Sequence, residues 1–170
     1  MKFPALGLAL MALAAFAGTS SAESIVTDAG ATKMRIGDRK AGGPNPKLFL
    51  YTTMATWCAP CKAELPQLTY LRSVFTPEEL AMFGLPYDDK EGAAKLTAWA
   101  DANHPPYELV ANLTPDGIAS AKTVVKTTLR MDAVPAIIVT DGDGRIVRVR
   151  FGPPSVSELR ELLRSQKERK

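Results

Sequence analysis

The chain has 170 residues, 46% of them apolar and 23% charged, with two cysteines, one histidine and a formal charge of +3. That is enough apolar material for one domain with a real core, and the interspersed charge implies neither a nucleic-acid surface nor a membrane patch. One histidine and one cysteine pair supply no ligand set for a zinc or haem site.

Met1-Lys2 gives a short positive start, Ala5 to Ala17 is an apolar and glycine stretch, and Thr19-Ser20-Ser21-Ala22 ends on small residues. This pattern predicts a secretory signal peptide over residues 1–22, cleaved near Ala22. The apolar run falls short of the about 20 residues a spanning helix needs. No cysteine lies near the cleavage site, which disfavours a lipid anchor. The expected location is periplasmic or secreted, where thiols stay reduced only if something reduces them.

Residues 23–46 read as an N-terminal extension, with Thr32 to Ile36 a short strand and Ala41 to Pro46 a turn. Leu48 to Thr53 is a buried strand. Pro60 to Val74 carries Leu65, Leu68, Leu71 and Val74 at helical spacing, kinked at Pro66, which removes one intrahelical hydrogen bond. Thr76-Pro77-Glu78-Glu79 resembles a helix start, but the apolar run that follows predicts a strand over Ala81 to Leu85. Asp88 or Asp89 is expected to cap a helix running to Asn103, with Trp99 in its core face and His104 as its C-cap before Pro105-Pro106. Tyr107 to Val110 is a short extended piece. Thr114-Pro115-Asp116 opens a helix bearing Ile118, Ala121, Val125 and Leu129 on one side. Pro135 to Thr140 and Arg145 to Phe151 form a hairpin about Asp141-Gly142-Asp143-Gly144, and Ser155 with Glu158 is a capping box for the last helix. Lys167 to Lys170 reads as a frayed tail. The order is that of an α/β protein in which a parallel pair gains an antiparallel hairpin.

Cys58-Ala59-Pro60-Cys61 sits where the apolar strand feeds the first helix. At a helix N-terminus, free N–H groups and the dipole stabilise a thiolate, and thiols of such pairs have pKa values of roughly 3.5–7.5. A structural disulfide is the alternative, but closing so short a loop removes little chain entropy.

Trp57 to Pro66, followed by Ala133-Val134-Pro135-Ala136 and Asp141 to Val147, resembles the TlpA/ResA-type thiol-disulfide oxidoreductases of the thioredoxin superfamily, over about Leu48 to Leu163. The resemblance implies a thioredoxin-like domain over residues 47–166, with a central mixed β-sheet flanked by helices and an insertion between the first helix and the C-terminal hairpin. It implies Cys58 as the exposed nucleophile and Cys61 as the resolving thiol. Trp57 would shield the site and Pro60 fix the turn. Val134 and a cis Pro135 would face the disulfide, so that the Val134 backbone can pair with an extended client. A trans strand-start proline is the alternative there. Glu64, one helical turn beyond Cys61, would handle protons near the buried thiol; otherwise it is a solvated helix charge. Thr53, Met54, Ala55 and Thr56 would line the approach as packing.

The expected function is an exported reductase of protein clients with cysteines or disulfides, such as an apocytochrome c or a copper-site assembly protein. It would act as a monomer re-reduced by a membrane donor such as a DsbD-type or CcdA-type reductase, with the Cys58–Cys61 disulfide as its only redox group and no metal. A disulfide-forming oxidase and a non-enzymatic Cu(I)- or client-binding module are the alternatives.

Overall fold

A computed structural model describes residues 23–27, 33–36 and 46–167; the leader, Thr32, the Ala41 to Asn45 part of the expected turn and residues 168–170 lie outside the described residues. The elements are β1 (Ile25–Thr27), β2 (Met34–Ile36), β3 (Leu48–Met54), α1 (Ala59–Ala63), α2 (Leu65–Val74), β4 (Leu80–Pro86), α3 (Ala93–Asn103), β5 (Glu108–Leu109), α4 (Pro115–Leu129), β6 (Ile137–Asp141), β7 (Ile146–Arg150) and α5 (Val156–Lys167).

The near-continuous apolar runs of β3 and β6 belong to strands covered on both faces, as buried α/β sheets require. The sheet order is β5-β4-β3-β6-β7. β3 runs parallel to β4 and antiparallel to β6. Alternation along β3 sends Leu48, Leu50 and Met54 to one face, packed with Leu68, Leu71, Leu96, Trp99 and Leu159 of α2, α3 and α5. Tyr51 turns to the other, with Phe83, Ile138 and the α4 residues Ile118, Val124 and Val125.

β1 and β2 pair antiparallel, and Ile25, Met34 and Ile36 are buried in the α4-side core. Met34 N–H donates to the Gly144 carbonyl (2.8 Å) and Thr114 N–H to that of Glu23 (2.8 Å). The segment read as an extension therefore contributes core residues, and β1 carries too few residues to announce itself by periodicity.

Three local expectations are corrected. The helix expected from Asp88 begins at Ala93: Asp88 instead accepts the Lys90 N–H (3.0 Å) and its carbonyl that of Glu91 (3.2 Å), forming a turn that delays the helix. Only half of the capping box forms. Ser155 Oγ accepts the Glu158 N–H (3.1 Å), while the Glu158 carboxylate is drawn to Arg150 (2.6 Å) and Arg148 (3.0 Å). β6 starts at Ile137, not Pro135. The kink does fall ahead of Pro66, as a break at Glu64 between α1 and α2, and His104 caps α3 in the left-handed region (φ 45°).

Gly84 in β4 lies under the Tyr107 ring, and a Cβ there would come within 2.4 and 2.7 Å of ring carbons. The ring is buried and cannot swing away. Gly84→Ala should therefore destabilise the fold by roughly 1–3 kcal/mol, the cost of overpacking a filled core; a urea midpoint equal to that of wild type would contradict it.

Candidate active site

β3 delivers the chain to a tight turn in which Cys58 takes an extended conformation (φ −79°, ψ 101°) and caps α1, its Sγ accepting the Cys61 N–H at 3.1 Å. Pro60 falls in the first turn, where no N–H is needed. Cys58 and Cys61 are joined as a disulfide, their Cα atoms 5.3 Å apart. Both are buried, Cys58 at 2% exposure and Cys61 at 4%. The expectation of an exposed Cys58 is thus corrected for the disulfide form: the sulfur is enclosed by the turn it caps and by the Val134 carbonyl oxygen, 3.9 Å away. What is exposed is the rim, Trp57 at 62% with Ala59 and Pro60.

The peptide bond between Val134 and Pro135 is cis. The loop carrying it is tied to β3 just beyond, where Ala136 N–H donates to Thr53 Oγ1 (2.8 Å) and Thr53 N–H to the Ala136 carbonyl (2.9 Å). The Thr53 carbonyl oxygen in turn lies 4.0 Å from Cys61 Sγ. Thr53, Met54 and Ala55 are fully buried, so they pack beneath the site and do not line its approach.

Glu64 stands at the α1–α2 junction, and its Oε2 is buried with no hydrogen-bond partner among the described residues. Burial pushes its carboxyl up to about 7. Tyr107 is raised above the ordinary tyrosine range, first by burial and then by the Glu64 charge, which places the two side chains in each other's field.

Sequence reasoning missed the connection between β4 and α3. Its Glu91 is buried, accepting the Thr56 N–H at Oε2 (2.9 Å) and the Thr56 hydroxyl at Oε1, and pairing with Lys95 (2.8 Å). Burial alone would raise this carboxyl, but the bonds from Lys95 and Thr56 outweigh it and hold it below the usual range. Asp88 accepts the Trp57 Nε1–H at 3.3 Å, and the Tyr87 hydroxyl donates to Asp132. A signal existed: a strand parallel to β3 must end beside the cysteine turn, and Met54 is in register with Pro86. Among the described residues no group of three or more His, Cys, Asp or Glu could hold a metal ion, and no helix is long and apolar enough to cross a membrane.

Against known proteins, the AhpC/TSA family matches residues 26–149. A thiol:disulfide interchange protein DsbE homolog of Paracoccus denitrificans (strain Pd 1222) is 30% identical over 121 residues, 71% of this chain, and the chain spans 59% of that relative's length. Two solved structures share the fold. A thioredoxin-family thiol:disulfide interchange protein from Chlorobium tepidum TLS has TM-score 0.57 and 16% identity, covering 86% of this chain and 94% of its own. A thiol-disulfide isomerase from Corynebacterium glutamicum has TM-score 0.53 and 20% identity, covering 75% and 88%. The mixed sheet flanked by helices is thioredoxin-like, the cysteine turn and the cis-proline loop resemble those of the TlpA/ResA type, and by the match over residues 26–149 the chain belongs to the AhpC/TSA family.

Proposed function

We propose that the protein is an exported thiol-disulfide oxidoreductase that reduces disulfides in client proteins. The observation that carries this reading is the Cys58–Cys61 pair at a helix start, facing the Val134–Pro135 loop. The DsbE homolog supports the same class of chemistry. In the reducing direction the Cys58 thiolate attacks one sulfur of a client disulfide, the S–S bond breaks, and the departing client sulfur takes up a proton. Cys61 then gives its proton to Glu64 and attacks Cys58 Sγ, releasing the second client thiol and leaving the Cys58–Cys61 disulfide. Two electrons pass to the client.

The N-cap place supports Cys58 as the attacking sulfur, since the Cys61 N–H and its neighbours would stabilise the thiolate. The raised carboxyl of Glu64 suits a base working near neutral pH. In this reading Trp57 and Pro60 meet the client at the exposed rim and the half-buried Val134 offers it backbone, with the buried Pro135 fixing the loop behind. In this reading the clients are of the apocytochrome c or copper-site assembly kind, a membrane reductase of DsbD or CcdA type returns the electrons, the mature monomer works in the periplasm, and the disulfide is its only redox group.

Equilibrating the protein with glutathione redox buffers tests this. A Cys58/Cys61 potential between about −270 and −200 mV is expected; a value near −120 mV would select a disulfide-forming oxidase, and a pair that fails to exchange would overturn the reading.

A further inference from the structure

The proposed chemistry needs Cys58 Sγ held in a fixed relation to the Val134 backbone, because a client chain paired with that backbone has to bring its sulfur into line with Cys58 Sγ. The two loops come from distant parts of the chain, Cys58 and Val134 lying 76 residues apart. A third segment touches both. Within five residues of the β4–α3 connection, Tyr87 donates to Asp132 in the loop leading to Val134, Asp88 accepts from the indole of Trp57, and Glu91 accepts from Thr56, two residues before Cys58.

Glu91 is the member whose burial is hardest to explain as stability alone. Its side chain is 2% exposed, whereas its counter-ion Lys95 is 60% exposed. Burying a carboxylate costs heavily unless every oxygen is used, and here both go to Thr56, one to the backbone N–H and one to the hydroxyl. The hold on the N–H is a hold on the main chain of the cysteine turn. Tyr87 is itself fixed, its N–H donating to the Met54 carbonyl (2.8 Å) and Lys122 lying over its ring at 4.7 Å. The connection is thus anchored to the end of β3 and reaches out to either side of the disulfide.

We propose that Glu91 is a positioning residue for thiol-disulfide exchange: through Thr56 it fixes the turn that presents Cys58, with Tyr87 and Asp88 securing the facing loop and Trp57 from the same segment. The proposal rests on the exchange activity proposed above. Glu91 touches neither sulfur and transfers no proton. Its contribution is to geometry, and a misplacement of about 1 Å at a reacting group can cost on the order of 100-fold in rate.

The test is the rate at which dithiothreitol reduces the Cys58–Cys61 disulfide, measured at a temperature where each variant is fully folded by circular dichroism. Glu91→Ala should slow reduction roughly tenfold. Glu91→Gln should recover most of that loss, since its amide oxygen can still accept the Thr56 N–H. Thr56→Val, which deletes only the hydroxyl, should lose an intermediate amount, and adding it to Glu91→Ala should slow the reaction no further, as expected of groups sharing one contact. If Glu91→Ala does not fold, Thr56→Val and Glu91→Gln carry the test. Wild-type rates in folded Glu91→Ala, or in Thr56→Val where Glu91→Ala fails to fold, would overturn the positioning role, as would Glu91→Gln being as slow as Glu91→Ala. A wild-type protein inert to dithiothreitol would instead overturn the exchange reading itself.

Discussion

Cys61→Ala protein is expected to accumulate as a mixed disulfide with its client, joined through Cys58, while multiple turnover falls on the order of 10³-fold or more. The chain has two cysteines, and they are bonded to each other, so no third thiol can complete the exchange once Cys61 is gone. The first step survives because it needs only Cys58 and the helix start it caps. Cys58→Ala should lose both turnover and adduct. Non-reducing electrophoresis with mass spectrometry of the adduct distinguishes the two variants; equal trapping by both, or continued turnover by Cys61→Ala, would reverse the assignment of roles.

Glu64→Gln should change both the pH dependence of stability and that of exchange. In the folded protein the carboxyl keeps its proton up to about 7, against 4.5 for an unburied glutamate. Between those values the folded state binds more protons than the unfolded state, so this group's contribution is fully present below about 4.5 and is lost as pH rises through about 7. The glutamine variant cannot titrate. Relative to wild type it should gain about 1 kcal/mol on going from pH 5 to pH 8, after discounting for solvent around a carboxyl that is only partly buried. Exchange should respond in the other direction: losing the base slows proton transfer at neutral pH, while removing the negative charge lowers the thiol pKa values. Tyr107 gives a separate optical readout, because its ionisation should move down when the neighbouring charge is removed. Urea unfolding at the two pH values that leaves the wild-type and variant difference unchanged would show Glu64 to be an ordinary surface carboxylate.

The parts of this molecule legible in the sequence are those written in local terms. The cysteine turn, the strand before it, the N-cap at Thr114 and the hairpin at Asp141 each depend on residues a few positions apart. In the hairpin, Asp141 Oδ1 accepts the N–H groups of both Asp143 and Arg145 at 2.9 Å, a turn chemistry visible in the four letters that encode it. Glu64 entered through the resemblance, which singles out a glutamate one helical turn beyond the second cysteine. What escaped is held across the sheet. Asp88 has the composition of a helix cap and is spent on Trp57 and a turn, and Glu91 looks like an exposed helix charge until the parallel register brings it under Thr56. The burial of Cys58 was missed for the same reason, since the covering carbonyl of Val134 lies 76 residues away in the chain.

The strand order also bears on how such a chain can change over evolutionary time. β3 has one neighbour running with it and one against it, so the outgoing end of β4 and the incoming end of β6 flank the end of β3 that leads to the cysteines. Everything between those two ends, α3, β5 and α4, leaves and returns within reach of the cysteines while supplying neither of them. The outward faces of α3 and α4 are thus open to resurfacing, and with it to new recognition surfaces, while their buried faces hold the core and the two pinned ends keep the sulfur chemistry in place.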